Sequence, residues 1–283
     1  MRRIQIFLTL LALCTVLPVR TPARLPDRAV REGADTRQEF PAVVELAQRV
    51  VPWLGGDILT RRIPRDQGRD VFEISTAGSM LVIAASDTPS AAAGLNWYLK
   101  YFCHRSISHL GDNLAPVEPL PQIPQPVRHT ARFGTRYYLN YCTFNYTFAF
   151  ADWKRWEREL DWMALNGVNL APATIGTEAV WQNTLRRVGY SESEVLDFLP
   201  GPAYTAWWLM GNLEGWGGPV NQRMVEQRVD LQRKIIARMR ELGMEPILQS
   251  SRASTRSFFF FASTMARSIK GCATFSAAAC GFR

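Results

Sequence analysis

Apolar residues recur at helical spacing across residues 40–54, where Phe40, Val43, Leu46, Ala47, Val50 and Leu54 share one face, and this pattern predicts a helix. Residues 70–75 and 80–85 are short apolar runs on either side of the turn Thr76-Ala77-Gly78, which predicts two strands. A second helix is predicted over residues 90–102. Together these elements make a small α/β unit, and no catalytic motif lies within it. Five prolines then crowd residues 116–126, at 116, 119, 121, 124 and 126. Each fixes its own φ and pushes its predecessor out of the helical region, so this stretch is extended or turning and reads as a linker.

Beyond it, a helix–Gly–strand unit occurs twice. Asp152 can cap a helix carrying the stripe Trp153, Trp156, Leu160 and Met163, which Gly167 ends before the strand Val168-Asn169-Leu170-Ala171. Residues 229–242, with Ile235, Ile236, Met239 and Leu242 near one face, stop at Gly243 and feed a strand over residues 244–249. With an earlier strand at residues 136–140 the order is β, α, β, helical insert, α, β. Repeated βα units imply a parallel sheet, doubly wound or closed into a (β/α)8 barrel. No Gly-rich phosphate loop follows any of these strands, so the barrel is favoured. At most three of its eight strands are present, and the expected fold is α/β: a small α/β domain followed by the first part of a truncated (β/α)8 TIM barrel.

Charge divides the chain further. Of the 33 Lys and Arg residues, three (Arg2, Arg3, Arg20) lie in residues 1–23 and five (Arg252, Arg256, Arg267, Lys270, Arg283) lie in residues 250–283, and neither stretch holds an acid. The remaining 25 basic residues face 25 acidic ones, so the basic balance gives no reason to expect nucleic acid as a partner. Arg2-Arg3, the apolar residues 4–17 and Thr21-Pro22-Ala23 form the pattern of an export signal, too short to span a bilayer at roughly 20 residues. The expected organisation is a signal peptide at 1–23, a small α/β domain at 24–115, a proline-rich linker at 116–129 and a partial barrel at 130–249. At Ser250 the sequence character changes abruptly, and a basic tail at 250–283 completes the chain, expected to be disordered or read in a wrong frame. Export would place the protein in the periplasm, outside the cell or in the lysosome, according to its source.

Cys103 and Cys142 are the only cysteines left between the signal and the tail, and His104, His109 and His129 are the only histidines. None has metal-type spacing, and neither a metal nor another cofactor is expected. A Cys103–Cys142 bridge and two free thiols both fit. His104 and His109 are expected to serve local hydrogen bonds.

Seven of the nine tryptophans fall between Trp153 and Trp216, and the residues around them carry a resemblance. Arg136-Tyr137-Tyr138-Leu139-Asn140-Tyr141-Cys142-Thr143, then Asp152-Trp153 and the run from Arg155 through Asn166-Gly167-Val168-Asn169-Leu170, resemble the α-N-acetylglucosaminidases of glycoside hydrolase family 89. Glu178-Ala179-Val180-Trp181-Gln182, Gly201-Pro202-Ala203, Ala206-Trp207, Met210-Gly211-Asn212-Leu213 and Gly217-Gly218-Pro219 extend it in the same order. The resemblance implies an exo-acting, retaining hydrolase releasing terminal α-linked N-acetylglucosamine from glycoconjugates, with that glycan as partner and no cofactor. It implies a terminal-sugar pocket lined by Asn140, Cys142, Tyr146, Trp207, Met210, Gly211 and Asn212. A flat aromatic face suits a sugar ring, and amides suit its hydroxyls.

The two glutamates that such chemistry needs are implied on later barrel strands, beyond the break at Ser250. The chain leaves the family pattern after Gln249, so the expectation is an N-terminal fragment with no catalytic residue and no activity of its own. Glu178 and Glu214 could project from the barrel face, but the first suits the positive end of a helix and the second a solvated loop. Trp153, Trp156, Trp162 and Trp181 are assigned to packing. Three functions of different class therefore stand open: a truncated hydrolase, a non-catalytic N-acetylglucosamine-binding protein, and an interaction module formed by the small domain alone.

Overall fold

Pro41 opens the first helix of the computed structural model, which describes residues 38–140, 142, 146–210 and 215–247. That helix, α1 (Pro41–Val50), buries Val43, Leu46 and Ala47 on the face its spacing predicts. It is followed by strands β1 (Ile58–Arg62), β2 (Val71–Ala77) and β3 (Met80–Ala85), helix α2 (Thr88–Tyr101) and strand β4 (Val127–Thr130). The four strands form one sheet in the order β1-β3-β2-β4, with β1 parallel to β3 and the other pairs antiparallel. Asp87 caps α2 through Ser90 N–H at 2.8 Å. Gly94 lets α2 lie close on the sheet, since a Cβ there would meet Ile83, Ile74 and Phe72 side chains at 3.2–3.3 Å.

Three details differ from the sequence reading. The β2–β3 hairpin pairs Thr76 with Leu81 and Ala77 with Met80, so the turn is Gly78-Ser79, with Gly78 at φ +61°, rather than Thr76-Ala77-Gly78. Strand β1 had no alternating signature because Arg61 and Arg62 extend beyond the sheet's covered part. Strand β4, at the end of the expected linker, pairs Val127–Thr130 with Val71–Ile74. An edge strand needs few apolar side chains, and β4 begins just past Pro126, where every residue again has an N–H to give to the ladder.

The second half carries α3 (Trp153–Leu165), β5 (Leu170–Pro172), α4 (Thr177–Arg187), α5 (Glu192–Phe198), a 3-10 turn (Pro202–Tyr204), α6 (Thr205–Leu209), α7 (Gln222–Glu241) and β6 (Glu245–Ile247). Strands β5 and β6 pair in parallel. The expected strand at residues 136–140 runs beside β5 without a full ladder: Tyr137 bridges Leu170 in parallel, and Tyr138 N–H donates to the Leu170 carbonyl at 3.1 Å. Three parallel extended segments thus lie side by side, as the opening of a barrel requires. Asp152 caps α3 through Arg155 N–H at 2.9 Å, and Gly167 at φ +72° ends it. Helix α7 starts at Gln222 rather than at the expected Val229, capped by Asn221 through Met224 N–H at 2.9 Å. Its first turns hold Gln222, Arg223, Glu226 and Gln227, which hide the apolar stripe.

One continuous core joins the halves: Leu95, Tyr98 and Leu99 of α2 are buried in the same cluster as Trp156, Leu160, Met163 and Ala164 of α3. Polar ties reinforce it. Arg49 holds Asp161 with two hydrogen bonds of 3.0 and 2.8 Å, Asn96 donates to the Leu165 carbonyl at 2.8 Å, and Arg136 pairs with Asp70 at 3.0 Å. A second cluster, Leu185, Val195, Leu199, Trp208, Val220 and Val225, fills the helical insert. Trp156 and Trp208 are fully buried, the packing role assigned to Trp156. Residues 1–23, read as a signal, and the break at Ser250 with the tail that follows it lie outside the described residues.

Candidate functional site

The chain leaves the strand-like segment at residues 136–140 through Leu139, which is buried and adopts φ +93°. A left-handed backbone at a non-glycine residue is strained and turns the chain sharply. Asn140, exposed at this turn, accepts the Cys142 N–H on its side-chain oxygen at 2.8 Å, a local Asn turn. The Cys142 carbonyl in turn accepts the Tyr146 N–H at 3.2 Å. Phe148 then anchors the loop by packing on Trp156 of α3, ring centroids 4.6 Å apart.

Helix α6 brings the second wall. It is about one and a half turns long, so adjacent residues point about 100° apart, and Trp208 goes into the insert's core while Trp207 stays half-buried. The Tyr146 ring meets Trp207 edge-on, at 5.1 Å and 89°. Met210, at the end of α6, is exposed. A pocket of about 520 Å³ is lined by Tyr146, Thr147, Ala149, Phe150, Ala151, Asp152 and Arg155; of the expected sugar-pocket residues only Tyr146 lines it. Nothing in the sequence singles out Phe150, which the structure exposes, or Arg155.

The structure therefore links Asn140, Cys142, Tyr146 and Trp207 in one chain of contacts, with Met210 directly after the short helix that carries Trp207. Gly211, Asn212 and Glu214 lie outside the described residues. Glu178 is buried in the first turn of α4, where the helix dipole favours an anion. Its Oε1 accepts from Arg228 Nε of α7 at 2.6 Å and from the Thr205 hydroxyl at 3.4 Å. Arg228 also reaches the Ala149 carbonyl at 3.4 Å. A carboxylate so enclosed is not presented to a substrate. Arg228 lies 50 positions from Glu178, on a helix face that reads as solvated, and nothing in the sequence singles it out.

Cys103 and Cys142 are free thiols, and burial pushes the Cys103 thiol up to about 11. His109 faces the buried Glu159 at 3.1 Å and packs on the Trp162 ring, a tie between the small domain and α3. Among the described residues no cluster of His, Cys, Asp and Glu could hold a metal ion.

The profile of the alpha-N-acetylglucosaminidase (NAGLU) N-terminal domain matches residues 41–122, and that of the family's tim-barrel domain matches residues 136–252. The human alpha-N-acetylglucosaminidase is 38% identical over 221 residues, 76% of this chain. The chain belongs to the α-N-acetylglucosaminidase family. The barrel profile ends at Arg252.

Solved structures agree with that membership. The family 89 glycoside hydrolase from Clostridium perfringens, with two Glu→Gln substitutions and in complex with its substrate GlcNAc-alpha-1,4-galactose, is 39% identical over 75% of this chain, with a TM-score of 0.72. The same hydrolase with 2-acetamido-1,2-dideoxynojirmycin is 36% identical over 80% of this chain, with a TM-score of 0.73. These relatives are glycoside hydrolases. This chain spans 30% of the human protein and 24% and 27% of the two bacterial chains.

Proposed function

We propose that this chain builds the terminal-sugar wall of an exo-acting, retaining α-N-acetylglucosaminidase, and that the polypeptide itself binds terminal α-linked N-acetylglucosamine without hydrolysing it. The observation that carries this is the edge-on contact of Tyr146 with Trp207 at 5.1 Å, set beside the Asn140 turn at the end of the first barrel segment. Ligand sites of this fold form at the strand ends, and an aromatic wall there suits a pyranose face, with the Asn140 amide at the end of the first segment suited to its hydroxyl and acetamido groups. Gly211 and Asn212 join this wall by family likeness.

Retaining hydrolysis needs two carboxyl groups about 5–5.5 Å apart. Glu178 is occupied by Arg228, so it does not serve as one of them. Recognition and hydrolysis are separable in this family, because the Clostridium perfringens variant with two Glu→Gln substitutions is found with its substrate. The Arg2-Arg3 and residues 4–17 pattern supports export, which fits action on extracellular or lysosomal glycoconjugates.

Titration of the purified chain with N-acetylglucosamine by ligand-observed NMR tests the reading. Binding that falls at least about fivefold in Trp207→Ala is expected, since one aromatic contact is worth about 1 kcal/mol beyond its buried area and about 1.4 kcal/mol is tenfold. Equal affinity in both proteins overturns the sugar wall. Turnover of an aryl α-N-acetylglucosaminide by the same preparation at ordinary glycosidase rates overturns binding without hydrolysis.

A further inference from the structure

The Glu178–Arg228 pair has only 1% and 10% of its side chains exposed. Burying two charges is expensive, and apolar residues of similar volume often stabilise a fold as well or better. The contacts of this pair show what the ions do that apolar residues could not. Glu178 Oε1 lies 3.4 Å from the hydroxyl of Thr205, which has the Pro202 carbonyl as a second acceptor at the same distance; Thr205 is the first residue of α6, two positions before Trp207. Arg228 reaches the Ala149 carbonyl, three positions after Tyr146. The ion pair thus touches both segments that carry the aromatic wall, and it does so from outside the wall. The approach is tight: Gly176, the N-cap of α4, lies with φ +76° against the backbone of Arg228, where a Cβ would meet its carbonyl oxygen at 3.0 Å. A fixed α4–α7 contact therefore sets where the pair sits.

We propose that Glu178 and Arg228 are positioning residues for the Tyr146–Trp207 wall, holding α6 through Thr205 and the 146–151 loop through Ala149. The proposal rests on the sugar-wall reading, but its test does not. A guanidinium can give Nε to Glu178 and Nη1 to Ala149 together. A lysine offers one ammonium and cannot span both with that geometry. Arg228→Lys therefore keeps the charge pair and releases the loop, whereas Glu178→Gln weakens both ties.

The test is the NOE between the Tyr146 and Trp207 rings in the full chain, with N-acetylglucosamine titration alongside. Asn96→Ala is the control: it breaks a buried hydrogen bond to Leu165 far from the wall and destabilises the fold without touching either tie. The expected result is loss of the ring NOE in Glu178→Gln and Arg228→Lys, its retention in Asn96→Ala, and a fall in sugar affinity of about tenfold that tracks the NOE rather than the melting temperature. Retention of the NOE in both pair variants, or its equal loss in Asn96→Ala, overturns the proposal. If Glu178→Gln does not fold, Arg228→Lys decides. Should the wild type bind no N-acetylglucosamine while the NOE still depends on the pair, the sugar reading fails and the positioning role stands.

Discussion

Asp161 on α3 is the shared anion of a four-residue cluster: Arg49 from the small domain binds it at 2.8 and 3.0 Å, and Arg238 of α7, which also pairs with Glu157 at 3.0 Å, approaches it at 3.7 Å. Its side chain is 5% exposed, and those of Arg49 and Arg238 are 26% and 17% exposed. Burial, outweighing the attraction of Arg49 and Arg238, holds the Asp161 carboxyl above its ordinary pKa, so ionisation of this acid adds little by itself. The loss on Asp161→Ala comes from the Arg49 guanidinium left without its acceptor, since Arg238 keeps Glu157 and Glu241. Removing one partner of a buried pair costs about 3 kcal/mol at the lower end of the measured range, suited here to the partial exposure of Arg49. For a unit of this size that lowers the melting temperature by about 6–12 °C. Asp161→Asn keeps an acceptor oxygen in the same place and should lose clearly less. Calorimetry on wild type, both variants and the double variant Asp161→Ala with Arg49→Met measures the pair directly. A coupling of about 1–3 kcal/mol is expected for contacting residues. A melting temperature within about 2 °C of wild type, on the order of 0.5 kcal/mol, or losses that simply add in the double variant, would refute the reasoning.

Asp70, bonded to Arg136 at 3.0 Å and Arg65 at 2.9 Å, supplies the acid dependence. Burial alone would raise its pKa, but the hydrogen bond with Asp87 and the two arginines prevail and hold it below the usual value; its folded pKa lies under its unfolded one, so its stabilisation is complete above about pH 4 and is lost as pH falls through the depressed folded value. Asp70→Asn should therefore flatten the acid limb of stability measured by urea melts, and coincident limbs would count against the assignment. Gly243, after α7, has φ +73°, and a Cβ there would lie 2.7 Å from Pro89 Cδ and 3.1 Å from Thr88 Cβ. Gly243→Ala should cost about 2 kcal/mol or more from the backbone conformation and this contact, and a neutral thermal melt would show that α2 yields.

What the sequence disclosed follows a physical rule. Helix α1 buries one face and exposes the other, so its stripe was readable; α2 and α3 are largely covered, but the apolar spacing of α3 and the caps Asp152 and Gly167 marked its ends. Strand β4 carries one apolar residue in four and exists because Val71–Ile74 offer it a ladder; such a strand is specified by its partner, which no local pattern contains. The start of α7 was hidden for the opposite reason, since capping by Asn221 rather than an apolar stripe initiates it. In the site, Asn140, Cys142, Tyr146 and Trp207 were reached through family likeness, and the geometry adds how they touch. Arg228 was illegible because a buried cation is recognisable only beside its anion, and Glu178 is distant in sequence.

The interaction-module reading, in which the small domain acts alone, meets a difficulty in the core. Leu95, Tyr98 and Leu99 of α2 are fully buried in one cluster with α3, and a separated small domain would expose that face together with the unpaired Arg49. The same interface explains why a domain with no catalytic motif accompanies the barrel. Helix α3 is held by Arg49 at Asp161 and by His109 at Glu159. Its first turn then receives Phe148 through Trp156, and Phe148 fixes the loop on which Tyr146 stands. The position of the aromatic wall is thus inherited from the small domain through α3 on one side and from α4 and α7 through the Glu178–Arg228 pair on the other. A wall fixed from two independent directions keeps its spacing, as the proposed recognition of a single terminal sugar requires.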